Sequence, residues 1–101
     1  MSGFVRLNLV FPAALEDAVT DALASDPHMP GFTLLHAEGH TSDFTGASTA
    51  EQVRGRVERR VLWVVIEHDS LDGLLATLRN SIASHDVRWW IEPVIALGRL
   101  G

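Results

Sequence analysis

Twice along this sequence, a segment with the apolar pattern of a β-strand is followed directly by apolar residues at helical spacing. Residues 4–11 alternate in hydrophobicity with a period of two, which predicts a half-buried strand. After Pro12, the apolar side chains are spaced by three and four positions until about Ser25, which predicts an amphipathic helix. The same order recurs after Gly55, so the chain is restricted to folds in which helices pack on a sheet.

The complete order of predicted elements is β, α, β, β, α, β. The predicted strands cover residues 4–11, 32–37, 57–67 and 87–92, and the predicted helices end near Ser25 and Ala83. Pro93 is expected to end the last strand, because its nitrogen cannot donate to a ladder, which leaves residues 94–100 as a short C-terminal extension. This order predicts a single α+β domain, a ferredoxin-like βαββαβ sandwich with two helices on one face of an antiparallel sheet.

The second face of such a sheet has no helices to cover it. The third predicted strand is apolar on both sides, so large apolar side chains are expected on this uncovered face. The candidates are Phe4, Leu62, Val64 and Ile66 or their alternates, together with a tryptophan. Such a surface is too apolar to remain in water, which predicts a closed cyclic assembly that buries it.

The three tryptophans, Trp63, Trp89 and Trp90, are candidates for this subunit interface. Within a strand, the adjacent Trp89 and Trp90 must point to opposite faces, one toward the helices and one toward the uncovered face. Interface packing is favoured over base stacking because the protein is acidic. A tryptophan at a subunit boundary is expected to contribute strongly to affinity.

The net charge of the chain is −5, and all eight basic residues are arginines. This balance disfavours binding to a phosphate backbone, so no nucleic-acid partner is expected. The absence of cysteine excludes disulfides, thiolate metal sites and cysteine nucleophiles. Polar residues interrupt every apolar stretch well short of a membrane span, so we expect a cytoplasmic protein without direct membrane insertion.

An alternating group of possible metal ligands lies after the second predicted strand. It consists of His36, Glu38, His40 and Asp43. Imidazole and carboxylate ligands together suit zinc, copper or nickel, and a neighbouring subunit would have to complete the site. Under the alternative interpretation, His36 is a partly buried strand residue and His40 a solvated loop residue.

Four arginines surround the start of the third predicted strand: Arg54, Arg56, Arg59 and Arg60. Guanidinium groups bind phosphate and carboxylate bidentately, so the cluster could contact an anion or an acidic segment of a partner. The alternative is pairing with surface glutamates, where an exposed ion pair contributes about 0 to 1 kcal/mol.

A catalytic role is not expected for this chain. His68, Asp69 and Ser70 contain the residue types of a hydrolytic triad, but three consecutive residues cannot adopt its geometry. The sequence presents no set of nucleophile, base and oxyanion donors, which leaves a small enzyme on a ferredoxin-like scaffold as the least favoured alternative.

Several short motifs, in this order and spacing, carry a resemblance to a known family. They are Gly31-Phe32-Thr33, Gly39-His40, Ala50-Glu51-Gln52-Val53-Arg54-Gly55-Arg56, and the aromatic pair before Pro93-Val94. The chain resembles the PII-like superfamily, which includes PII proteins and the CutA metal-tolerance proteins. It is most similar to an uncharacterised bacterial PII-like family that is often encoded near heavy-metal efflux systems. The resemblance extends from Phe4 to Leu100.

This resemblance implies a homotrimeric regulatory or adaptor protein, linked to heavy-metal homeostasis or efflux. Residues about 39–55 would form the T-loop that contacts a partner, such as a membrane transporter. The alternative within the superfamily is a CutA-like protein that binds divalent metal ions directly.

Two departures from the superfamily pattern limit the ligands that it implies. PII nucleotide sites use a loop rich in glycine and lysine after the second helix, whereas residues 84–88 contain neither, which disfavours ATP or ADP as a cofactor. Relatives in the closer family carry several histidines in the T-loop, whereas this chain offers only His36 and His40, which disfavours tight binding of a divalent transition metal.

Overall fold

The computed structural model describes residues 3–40, 57–82 and 84–101. The strands are β1 (Phe4–Pro12), β2 (Thr33–Gly39), β3 (Val57–Glu67) and β4 (Arg88–Val94), and the helices are α1 (Glu16–Ala24) and α2 (Leu71–Ser81). A 3-10 turn precedes each helix, at Ala13–Leu15 and His68–Ser70. The predicted ferredoxin-like α+β order is confirmed. Most of the predicted T-loop lies outside the described residues.

The four strands form one antiparallel sheet in the order β2-β3-β1-β4. The central strand β1 pairs with β3, with Leu7 opposite Val64, and with β4, with Leu7 opposite Ile91. β2 pairs with β3, with Leu34 opposite Leu62. The sheet therefore has two edges, one formed by β2 and the other by β4.

Both helices pack on one face of this sheet. Side chains alternate in β1 and β3, so every second residue of each strand points toward the helices. The buried apolar residues of this core include Leu7, Leu9, Phe11, Val19, Leu23, Leu62, Val64, Leu74, Leu75 and Leu78. The spacing of three and four positions in the helices brings their apolar side chains onto this single core.

Pro93 lies inside β4, so the prediction that it ends the strand is wrong. It pairs in register with Val5 of β1, and Val94 continues the ladder opposite Phe4. The physical reason is the position of β4 at an edge of the sheet, where proline is tolerated because only one side of the strand needs hydrogen bonds.

The C-terminal end of the second helix also differs slightly from the sequence prediction, which placed it near Ala83. α2 ends at Ser81, because Ile82 already has an extended backbone with φ −139° and ψ 91°. Residues 95–101 follow β4 without a helix or strand of their own. Among the described residues, no helix is long and apolar enough to cross a membrane.

Candidate functional site

The sheet face opposite the helices, called the open face below, is the most distinctive surface of the described chain. Its residues alternate with those of the core, and they include Thr33, Leu35 and Ala37 of β2, Phe4, Arg6, Asn8 and Val10 of β1, Arg59, Val61, Trp63, Val65 and Glu67 of β3, and Arg88, Trp90, Glu92 and Val94 of β4. Phe4, Leu35, Trp63, Val65 and Trp90 are each between 36% and 44% exposed. The open face therefore presents large apolar side chains to solvent.

A polar network crosses this apolar surface. The Arg6 Nη2 donates to Glu92 Oε2 at 2.6 Å, and the Arg6 Cζ lies 4.7 Å from the ring centroid of Trp63. On the other side, the indole N–H of Trp90 donates to Glu92 Oε1 at 3.0 Å. Arg6 and Glu92 thus connect the tryptophans of β3 and β4 across the central strand.

The environment of Glu92 keeps its carboxylate charged. Its pKa lies below the ordinary value of 4.5, because the indole of Trp90 and the guanidinium of Arg6 both donate hydrogen bonds to the charged form. The Arg6 charge adds a smaller effect in the same direction, whereas desolvation opposes it. The ion pair is consequently formed at neutral pH.

Asn8 is the buried centre of the open face. It is 1% exposed, and it lies in register between Trp63 of β3 and Trp90 of β4. Its Nδ2 donates to the carbonyl oxygen of Arg6 at 3.2 Å and, more weakly, to that of Trp90 at 3.5 Å. The centre of the open face is therefore a buried amide side chain that is held by hydrogen bonds between the two tryptophans.

Sequence reasoning missed Arg6, Asn8 and Glu92. The available signal was that polar residues share the outward positions of these two strands with large apolar residues, such as Phe4 in β1 and Trp90 in β4. That signal becomes specific only when the strand register is known, because Arg6 and Glu92 are 86 positions apart.

The tryptophans lie where the alternation rule places them. Trp90 is on the open face and Trp89 is on the helix side, so the prediction that they point to opposite faces is confirmed. Trp89 lines a cleft of 130 Å³ between β4 and the helices, together with Leu75, Leu78 and Arg79. On β3, the residues on the open face are the alternates Val61, Trp63 and Val65, whereas Leu62, Val64 and Ile66 belong to the core.

The predicted arginine cluster is only partly described. Arg60 points to the helix side, where its Nε donates to Glu16 Oε1 of α1 at 2.6 Å. Arg59 points to the opposite face and covers Gly39, where a Cβ atom would lie 2.9 Å from the Arg59 Nε. Arg54 and Arg56 lie outside the described residues, so their proposed contact with an anion or partner stays a prediction.

The predicted metal ligands are likewise only partly described. His36 and Glu38 lie on the same side of β2, opposite Arg60 and Glu58. His40 Nε2 is 3.7 Å from Glu38 Oε2. Asp43 lies outside the described residues, and within the described ranges no three His, Asp or Glu side chains are grouped closely enough to hold a metal ion.

Comparison with known proteins identifies the family. A family model described as a protein of unknown function, DUF3240, matches residues 1–101. The chain belongs to the DUF3240 family. Among curated proteins, no match to the chain was found.

Solved structures place this DUF3240 chain in a wider fold group. It is similar to the crystal structure of a DUF3240 family protein from Shewanella baltica OS155, with a TM-score of 0.79, 22% identity and 100% coverage of both chains. It is also similar to Arabidopsis thaliana PII bound to citrate, with a TM-score of 0.68 at 15% identity, over 91% of this chain and 78% of that one. The PII-like fold predicted from the sequence motifs is confirmed.

Proposed function

We propose that this protein is a PII-like regulatory or adaptor protein that works in the cytoplasm as a homotrimer. The observation that carries the proposal is the open face, where Phe4, Trp63, Val65 and Trp90 remain at least 36% exposed. Monomeric proteins rarely expose a continuous apolar patch of this kind, and such patches usually mark interaction sites. A second and third copy of the chain are the partners that we propose for it.

The polar network on the open face is compatible with burial. Burying a charged side chain is costly unless it is paired and its hydrogen bonds are made. Arg6 and Glu92 are already paired within one subunit at 2.6 Å, and Trp90 satisfies the second oxygen of Glu92. A neighbouring subunit therefore does not have to supply a charge in order to cover them.

We propose a closed ring because the open face is a single apolar surface that symmetric copies can bury together. Most homo-oligomers are closed and symmetric, and a small sheet with one bare face can bury it around a central axis. The likeness of the fold to PII supports three copies around that axis. In this arrangement the helices would face outward, and we propose that the predicted T-loop, residues about 39–55, contacts a partner protein.

The assembly is tested by measuring its mass with light scattering at micromolar concentration. We expect three times the 11.1 kDa mass of the chain, and a monomer would overturn the proposal. Trp90→Ala should raise the concentration at which the assembly dissociates by at least about tenfold. Trp89→Ala is the matched control, because Trp89 and Trp90 are 43% and 44% exposed but lie on opposite faces.

The adaptor role is tested separately, by deleting residues 42–48. We expect the deleted protein to fold and to keep the trimer mass, but to lose binding to a purified heavy-metal efflux transporter that the intact protein binds. Retained binding would contradict a role for the T-loop.

Direct binding of divalent metal, as in CutA proteins, is the second candidate function. It is favoured by the approach of His40 Nε2 to Glu38 Oε2 at 3.7 Å on the strand that leads to Asp43. Isothermal titration with zinc, copper and nickel should give binding that the His36→Ala, His40→Ala double variant loses. No heat of binding for any of the three metals would exclude this candidate.

A further inference from the structure

The cleft lined by Trp89, called the Trp89 cleft below, lies where the helices stop covering the sheet. Its floor includes Leu9 of β1 and Trp89 of β4, which are partners in the strand register and lie on the helix side. Leu9 is 1% exposed, whereas Trp89 is 43% exposed. The helix layer therefore covers the central strand but leaves part of the neighbouring edge strand open to solvent.

The end of α2 explains why the cleft is open on this side. Leu75 and Leu78 of α2 contribute apolar side chains to it, but the helix ends before Ile82, which has an extended backbone. A short turn then leads back to β4, and in this turn the Val87 N–H donates to the carbonyl oxygen of Ser84 at 3.3 Å. The helix end, the turn and β4 thus border a cleft of about 130 Å³.

The volume of the Trp89 cleft suits one small apolar group. An apolar cavity of about 150 Å³ is large enough to hold a benzene ring. The described lining of the cleft is aliphatic or aromatic except for Arg79 and Ser84. Ligand sites commonly combine an apolar lining with a few polar groups that fix the orientation of the ligand. The cleft therefore has the size and the lining for an aromatic ring or a branched alkyl group.

Two hydrogen-bond donors of this lining have no acceptor among the described residues. The indole N–H of Trp90 donates to Glu92, but in the described part of the chain no acceptor meets the indole N–H of Trp89. In the same part, Arg60 is paired with a glutamate at 2.6 Å, whereas no carboxylate pairs with Arg79. A guanidinium group and an indole N–H at one cleft can donate to an anionic oxygen group of a ligand.

We propose that the Trp89 cleft binds a small monocarboxylate with an aromatic or branched apolar body, which lies among the leucines while the carboxylate pairs with Arg79. Guanidinium groups bind carboxylate and phosphate through paired hydrogen bonds. Arg79 is the only charged residue in the described lining, so a singly charged carboxylate matches it better than a phosphate monoester, which carries nearly two charges.

This inference goes beyond the proposed trimer and does not depend on it. Every residue of the described lining belongs to one subunit, so one chain forms the cleft without a neighbour. The cleft also lies on the helix side, whereas the surface that the trimer would bury is the open face. The binding test therefore applies to the protein in whatever oligomeric state it has.

Nuclear magnetic resonance tests the site directly, because the chain contains three tryptophans and each has one indole N–H. Phenylacetate is the probe, and the Trp89→Phe variant assigns the indole signal of Trp89. We expect phenylacetate to shift this signal saturably, while the signals of Trp63 and Trp90 stay in place. Phenylacetamide, which has a similar shape without the charge, should bind at least about tenfold more weakly.

Arg79→Met separates recognition of the carboxylate from simple occupation of the cleft. This variant should bind phenylacetate at least about tenfold more weakly than the wild type, and it should lose the preference for phenylacetate over phenylacetamide. Arg88→Met is the matched control, because Arg88 is also exposed but lies on the open face, opposite Val10. It should leave both affinities unchanged.

Three results would overturn the proposal. An unchanged Trp89 signal at millimolar phenylacetate would show that the cleft does not bind this class of ligand. Equal affinity of the wild type for phenylacetate and phenylacetamide would exclude recognition of the carboxylate. Tighter binding of phenyl phosphate than of phenylacetate would exclude a singly charged ligand. A wild type of monomer mass would refute the proposed trimer without affecting any of these results, so the two proposals fail separately.

Discussion

The helix-covered face and the open face of the sheet are both rich in apolar side chains, but they differ in what covers them. On β3, Leu62 and Val64 point to the helices and are 0% and 1% exposed, whereas Trp63 and Val65 point away and are 36% and 37% exposed. One strand therefore serves two apolar surfaces, and its own subunit buries only one of them. This difference in exposure is the observation on which the proposed trimer rests.

The two faces also differ in how they hold a charged pair. Each face has an Arg–Glu pair at 2.6 Å, with Arg60 and Glu16 on the helix side and Arg6 and Glu92 on the open face. The side chains of the first pair are 15% and 33% exposed, and those of the second are 36% and 45% exposed. The first pair connects a strand to a helix, whereas the second connects two neighbouring strands.

The largest loss of stability is expected from truncating a core leucine on the helix-covered face. If this loss were absent, the two faces would not differ in their contribution to folding. Leu62→Ala should lower the free energy of unfolding by about 2 to 5 kcal/mol, because it leaves a cavity under the helices. Leu35→Ala is the matched control on the open face, where 36% of the residue is already exposed. Urea denaturation at a concentration where the chain is monomeric measures both, and equal losses would show that the open face is as important as the core for folding.

A smaller loss of stability is expected from removing either Arg–Glu ion pair. The size of each loss would show whether the pair on the helix side is worth more than the pair on the open face. Arg60→Met should lower the free energy of unfolding by about 1 to 3 kcal/mol, because it leaves Glu16 without its partner in a partly buried position. Arg6→Met should cost less, since exposed ion pairs contribute little to stability. Denaturation of both variants under the same monomeric conditions tests the order, and the reverse order would contradict the assigned burial.

The smallest effect concerns the pH dependence of the open face. Because the pKa of Glu92 is lowered in the folded chain, its contribution to stability is complete above the ordinary value of 4.5. That contribution is lost as the pH falls below this value and through the lowered pKa of the folded state. The melting temperature of the wild type should therefore fall more steeply with acidification than that of Glu92→Gln, in a series from about pH 7 to pH 3. If the melting temperatures of the wild type and Glu92→Gln fell in parallel with pH, the hydrogen bonds of Glu92 would not stabilise the fold.

The sequence was sufficient for the fold, because each element carries its own periodicity. The bounds of β3 agree with the prediction at Val57 and Glu67, since residues 61–66 are all apolar, the charged Glu67 follows them, and Gly55 lies two positions before Val57. The same property prevented an assignment of its faces. With apolar residues at odd and even positions alike, only the packing of the helices decides that Leu62 is inside and Trp63 outside.

The candidate functional surface was less predictable from the sequence, because it depends on pairing between distant segments. Pro93 is tolerated because β4 lies at an edge of the sheet. The local sequence around Pro93 does not predict that β4 is an edge strand. The contact of Arg60 with Glu16 similarly requires that α1 packs beside β3. Glu38 and His40, at alternate positions, could be identified from the sequence as possible ligands, whereas Asp43 lies outside the described residues.

The close contact between Gly39 and Arg59 at the end of β2 predicts which residues can occur together at these two positions in the family. A methyl group at position 39 would lie 2.9 Å from the Nε of Arg59 and 3.0 Å from its Cγ, so the arginine side chain would have to turn away. Members of the family with a larger residue at position 39 should therefore carry a shorter side chain at position 59. Covariation of these two positions across DUF3240 sequences would record the close pairing of β2 with β3 at the point where the chain leaves the sheet.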